Sequence, residues 1–112
     1  MEDTQLLKGV LEGCVLGIIR KGETYGYEIL SVMEAAGFEN MAEGTLYPVL
    51  TRLDKKGAIA CRKEKSPLGP IRKYYSITAE GEERYQEFRK NFKQLVLNTE
   101  NILDENGKGW LI

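Results

Sequence analysis

Between Gly57 and Thr78 the spacing of apolar residues changes twice, and this constrains the fold of the 112-residue chain more than any other feature. Up to Gly57 apolar residues recur three and four positions apart, as on one face of a helix. From Ala58 to Ile77 they alternate instead. "AIACRKEK" and "IRKYYSI" offer Ile59, Cys61, Tyr75 and Ile77 to one face, and "SPLGP" between them supplies the turn residues Pro67, Gly69 and Pro70. After Thr78 the helical period returns. A two-stranded hairpin is therefore held between helices, and because a hairpin alone is marginal in water it must pack on them.

Three helices are expected before the hairpin. In "TQLLKGVLEGCVLGIIRKG" the residues Leu7, Leu11, Cys14 and Ile18 follow a 4-3-4 spacing, and Leu6, Val10 and Val15 widen the apolar face. A helix this apolar calls for two partners, the core of its own domain and a second subunit. "ETYGYEILSVMEAAG" reads as a second helix carrying Ile29, Met33 and Ala36, with Gly37 as its stop. In "EGTLYPVLTRLDKKG" the stripe Leu46, Leu50 and Leu53 opposes Thr45, Tyr47, Thr51, Arg52, Lys55 and Lys56. Thr45 is the expected N-cap, which puts Pro48 in the first turn, where a missing N–H costs nothing.

After the hairpin, Thr78 is placed to cap a long final helix whose first turns hold Glu80, Glu82 and Glu83. Tyr85, Phe88, Phe92, Leu95, Thr99 and Ile102 run along it at 3-4-3-4-3 spacing, a single narrow seam. A helix of this length projects from a small domain, and a two-fold partner is the simplest cover. Expected interface residues are Leu7, Leu11, Tyr85, Phe88, Phe92, Leu95 and Ile102. The order helix, helix, helix, strand, strand, helix makes the fold mainly α with a small β-hairpin. It is a winged helix-turn-helix over residues 1–77, with a long C-terminal dimerisation helix over 78–105 and a flexible Gly-rich tail over 106–112, where Trp110 lies.

Charge supports a nucleic-acid partner despite a net charge of −1 and a pI near 5.6. Residues 1–41 carry three basic and seven acidic side chains, residues 78–112 carry five and seven, and residues 42–77 carry eight basic against three acidic. The middle third is thus +5, and a local basic footprint matters more for phosphate binding than the total. On the third helix Arg52 suits guanine or phosphate. Thr45, Tyr47 and Thr51 suit phosphate oxygens or a thymine methyl, and Lys55 adds charge. Tyr25 and Tyr27 stand where the second helix begins and can take a phosphate. On the hairpin Lys63, Lys65, Arg72 and Lys73 are expected along the backbone or in the minor groove, while Tyr75 is expected in the core. A winged-helix module whose basic face meets an acidic protein is the alternative.

The chain contains no histidine, which excludes a catalytic triad, a Cys/His pair and an HExxH zinc site. Cys14 and Cys61 lack metal-like spacing and read as reduced structural thiols. No enzyme activity, metal or cofactor is expected. Nor is a membrane partner, since the longest apolar run, Val15 to Ile19, falls far short of the ~20 residues a bilayer requires. The N-terminus shows no secretory signal, so the expected location is the cytoplasm.

"YGYEIL", "EGTLYPVLTRLDKKGAI" and "RKYYSITAEG", in this order and spacing, closely resemble the PadR family of bacterial transcriptional regulators. The likeness runs from about Leu6 to about Leu103, and the short final helix resembles that of the compact subfamily. It implies a homodimeric winged-helix repressor on a pseudo-palindromic operator in double-stranded DNA, released by a small aromatic or amphipathic effector. In drug-sensing members a tryptophan lines a pore between the first and final helices of the dimer. Phe92 stands at the matching position here, so the resemblance implies an effector pocket at Phe88 and Phe92. A phenyl ring still stacks, but it has less area than an indole and no N–H.

Overall fold

A computed structural model describes residues 4–103, so the tail over 106–112 and its Trp110 lie outside the described residues. The elements are α1 (Thr4–Ile19), β1 (Thr24–Tyr25), α2 (Gly26–Ala35), α3 (Glu43–Lys55), β2 (Ile59–Lys65), β3 (Ile71–Ile77) and α4 (Ala79–Leu103). Helix α1 is the hub, touching α2, α3, α4 and β3. Its Leu11, Val15, Leu16 and Ile19 are buried against Ile29 and Met33 of α2, the leucine stripe of α3, and Ile59 and Tyr75 of the sheet. The architecture is a winged helix-turn-helix extended by a long C-terminal helix. Among the described residues no helix is long and apolar enough to cross a membrane.

The sheet has three strands rather than the expected two. Thr24 and Tyr25 form β1 and pair antiparallel with Tyr75 and Tyr74, giving the order β1-β3-β2. A β-branched and an aromatic residue favour extended backbone, and Gly26 then opens α2 three residues later than the sequence stretch suggested. In the hairpin proper, Ile59 pairs with Ile77 and Cys61 with Tyr75, so the expected inward set shares one face. Burial pushes the Tyr75 hydroxyl up to about 12, because the core disfavours the charged phenolate.

The cap of α3 also differs from expectation. Ala42 occupies the cap position without a side-chain hydrogen bond, and its carbonyl accepts from the Thr45 and Leu46 amides at 3.0 and 3.1 Å. Thr45 is thus inside the first turn, and Pro48 is one turn deeper than anticipated, where it withholds an N–H from the carbonyl of Gly44. The four buried residues Leu46, Val49, Leu50 and Leu53 hold the helix in place despite that loss.

Thr78 caps α4 as its position suggested. Its Oγ1 accepts from the Gly81 amide at 3.0 Å and donates to the Gly57 carbonyl at 2.6 Å, tying the start of α4 to the end of α3. The helix runs for 25 residues, about 38 Å at 1.5 Å per residue. Its apolar seam is divided between two environments. Tyr85 and Phe88 are half-buried against α1, while every residue from Asn91 to Leu103 is exposed. Close packing is possible because α1 presents Gly13, where any Cβ would collide with the Phe88 ring. Of the expected interface residues, Leu11 therefore belongs to the chain's own core and Leu7 packs at its edge. Tyr85 and Phe88 are covered largely from within the same chain.

Candidate nucleic-acid interface

At about 100° per residue, the polar side of α3 resolves into a pole and a flank. Opposite the buried stripe, at the pole, stand Thr51 and Lys55; the flank turned toward α1 carries Thr45, Arg52 and Lys56, and Tyr47 lies on the other side, toward the start of α2. The Thr51 hydroxyl donates to its own helix at the Tyr47 carbonyl, 3.0 Å away, so its methyl and lone pairs are what it offers outward. Arg52 is not at the pole. Its Nε lies 3.8 Å from Glu12 Oε2 of α1, and Lys56 Nζ lies 3.6 Å from the same oxygen.

Tyr47 is held from the side. A Cβ on Gly26 would stand 2.7 Å from the Tyr47 hydroxyl, so the absence of a side chain at the start of α2 lets that hydroxyl sit against the helix N-terminus. Tyr27, 71% exposed, projects beside it. Together with Arg72, Lys73 and Tyr75 these tyrosines line an open notch of about 380 Å³ between α2, α3 and the wing. Tyr25 lines the same notch and also packs within the sheet. Its ring meets Tyr74 edge-on at 5.7 Å, and the Arg72 guanidinium lies 4.2 Å above it, so it is a platform for the arginine.

The wing's alternation separates its charges. Arg62, Glu64, Arg72 and Tyr74 share one face. There Arg62 donates to Glu23 at 2.7 and 2.8 Å and to Glu64 at 2.8 Å, and it stacks 4.6 Å over Tyr74. Lys63, Lys65 and Lys73 share the other face with Tyr75. Among the described residues, neither these three nor Lys55 joins an ion pair. Lys63 is moreover directly opposite Lys73 in the register, a like-charge cross-strand pair that is unfavourable unless an anion lies between them. The wing thus carries one neutralised face and one that calls for counter-charge.

A second concavity lies on the far side of α1. Val10, Phe88, Phe92, Leu95 and Val96 border a largely apolar groove of about 480 Å³, and within it Phe88 and Phe92 stack with ring centres 5.7 Å apart. The sequence reading identified both phenylalanines. It missed Glu12, whose signal was its isolation as the one charged residue between Lys8 and Arg20, and it missed Glu23, Gly26 and Val96.

Residues 15–87 match the model of the PadR-like family of transcriptional regulators, most of the helix-turn-helix and wing included. The chain belongs to that family. Among solved structures, a Streptococcus transcriptional regulator is 46% identical, with a TM-score of 0.79 over 91% of this chain and 100% of that one. A PadR-like regulator of Bacillus cereus is 43% identical, with a TM-score of 0.78 over 89% of this chain and 97% of the other. The negative transcriptional regulator PadR of Bacillus subtilis is 31% identical over 81 residues, covering 70% of this chain and 44% of its own length. Its structure in complex with operator DNA superposes with a TM-score of 0.65 at 30% identity, covering 70% of this chain and 45% of that one. This PadR-like chain therefore spans less than half of the Bacillus subtilis regulator.

Proposed function

We propose that this PadR-like chain is a sequence-specific DNA-binding regulator, a homodimeric repressor on a pseudo-palindromic operator whose occupancy a small aromatic or amphipathic molecule controls. The observation that carries the DNA reading is the unneutralised lysine face of the wing, which meets α3 at the notch that Lys73 and Tyr47 line together. Lys63 and Lys65 share the Lys73 face of the wing, and Lys55 extends the charge along α3. Phosphates are the counter-charge this arrangement fits, while Thr51 and Tyr47 meet base edges. The operator complex of the Bacillus subtilis relative supports the same partner here.

Dimerisation through residues 78–105 is supported by the exposed apolar residues Phe92, Leu95, Val96 and Ile102, a density of apolar surface that monomers rarely leave open. An effector pocket is supported by the phenylalanine-walled groove, and repression by the kinship with a negative regulator. Such a protein works where the chromosome is, in the cytoplasm of a bacterial cell.

In-vitro selection from random duplexes, at physiological salt with competitor DNA, tests the reading. Enrichment of one inverted repeat with half-sites about one helical turn apart, or a multiple, is expected. If folded protein enriches nothing, the basic face belongs to an acidic protein partner. Lys73→Ala should weaken operator and random DNA alike and lower the salt slope by about 0.9, whereas loss on the operator alone would assign Lys73 to base reading.

A further inference from the structure

Among the described residues, Glu12 pairs with cations of both α3 and α4. Oε2 lies 3.8 Å from Arg52 Nε and 3.6 Å from Lys56 Nζ, and Oε1 lies 3.5 Å from Arg84 Nη1 of α4. One carboxylate therefore serves three cations. Two of them stand on the flank of the DNA-facing helix, and the third stands on the helix that walls the apolar groove. Partly shielded, with its side chain 27% exposed, Glu12 is screened less by salt than a fully solvated acid.

The neighbouring packing links this carboxylate to the groove. Gly13, the next residue of α1, receives the Phe88 ring, and Phe88 lies one turn beyond Arg84 on α4 and stacks on Phe92. Any shift of α4 that moves Phe88 over Gly13 must also move Arg84 relative to Glu12. The charge that Arg84 ceases to share is then left for Arg52 and Lys56.

We propose that Glu12 is a positioning residue that withholds Arg52 and Lys56 from DNA, and that Arg84 sets how firmly it does so. DNA phosphate and Glu12 compete for the same two cations. With Arg84 close, the carboxylate is shared and the α3 cations are released more readily. With Arg84 withdrawn, they are held back and DNA affinity falls. The inference rests on the DNA-binding reading above and adds the route by which α4 regulates it.

The test is a cycle of Glu12→Gln, Arg84→Gln and the double variant in the full chain, titrated with the selected operator and a random duplex. Glu12→Gln should bind both DNAs more tightly and with a steeper salt dependence. Its extra loss of affinity between 50 and 200 mM salt is about three- to fourfold for each additional phosphate that Arg52 or Lys56 neutralises. Arg84→Gln should weaken binding in the wild-type background, have no effect in Glu12→Gln, and be rescued by Arg84→Lys. Should Glu12→Gln melt prematurely, Glu12→Asp keeps the charge while shortening the reach and should give a smaller change of the same sign. An equal effect of Arg84→Gln with and without Glu12, or an unchanged salt slope in the Glu12 variants, overturns the proposal while leaving the DNA reading intact. Wild-type protein that binds neither DNA overturns both.

Discussion

The two halves of α4 continue one apolar seam but meet different surroundings. From Ala79 to Phe88 the helix is pinned to α1: Tyr85 lies under the Arg20 guanidinium at 4.6 Å, and Phe88 sits over Gly13. Arg20 donates to Glu82 through Nε at 3.0 and 3.1 Å and through Nη2 at 2.5 Å. From Asn91 to Leu103 every residue is exposed, the large apolar ones from 41% at Phe92 and Val96 to 61% at Leu95 and 65% at Ile102, and a Gln94 to Asn98 hydrogen bond of 2.9 Å lies along the helix itself. Helical periodicity announces that a face needs cover. It does not say which surface provides it.

Substitutions in the two halves should consequently fail in different ways. Leu95→Glu places a charge in the exposed half, where a partner subunit is proposed, and desolvating an unpaired carboxylate there is prohibitive. It should convert dimers to monomers and abolish operator binding, with the monomer's fold changed by no more than about 0.5 kcal/mol. Light scattering together with urea unfolding checks both parts, and persistent dimers would move the interface elsewhere. Phe88→Ala acts on the covered half. It should destabilise the fold by about 2–3 kcal/mol, less than the roughly 3–5 kcal/mol of a wholly buried phenylalanine because Phe88 is half-buried. A urea midpoint unchanged from wild type would mean that α1 and α4 do not depend on this contact.

The same distinction explains what was legible in the sequence. Long periodic segments declared themselves: the leucine stripe of α3, the alternation of Ile59, Cys61, Tyr75 and Ile77, and the Thr78 cap follow from local rules. Tertiary pairing did not. Thr24 and Tyr25 become a strand only because β3 lies alongside, and two residues carry too little pattern to reveal it. Helical spacing alone sets Lys55 at the pole of α3 and Arg52 on its flank, but it does not reveal that Glu12, forty residues earlier, stands there to pair with Arg52. Arg72 likewise settles on Tyr25, a contact between strands that no spacing encodes. Residue types thus identified a basic surface, while three-dimensional packing decided which cations remained available on it.

The smallest expected effect probes the polar clamp of the covered half. Glu82 accepts from Arg20 and also from Gln86 Nε2 at 3.1 Å, and the hydrogen bond from Arg20 chiefly holds its carboxyl below the ordinary value of 4.5. A folded-state pKa below the unfolded one means that the pairing stabilises fully above about 4.5 and is lost as pH falls through the lower, folded value. Because both partners are exposed at the surface, the contribution is modest and screened by salt. Glu82→Gln should therefore melt slightly below wild type at pH 7, and the gap should close as the buffer is acidified into the range where Glu82 itself becomes neutral. The Glu23 carboxyl, similarly lowered by Arg62, titrates in both proteins and cancels from the difference. A gap that persists undiminished in acid would show that Glu82 acts through packing, and the hold of α1 on the first half of α4 would then be an apolar one.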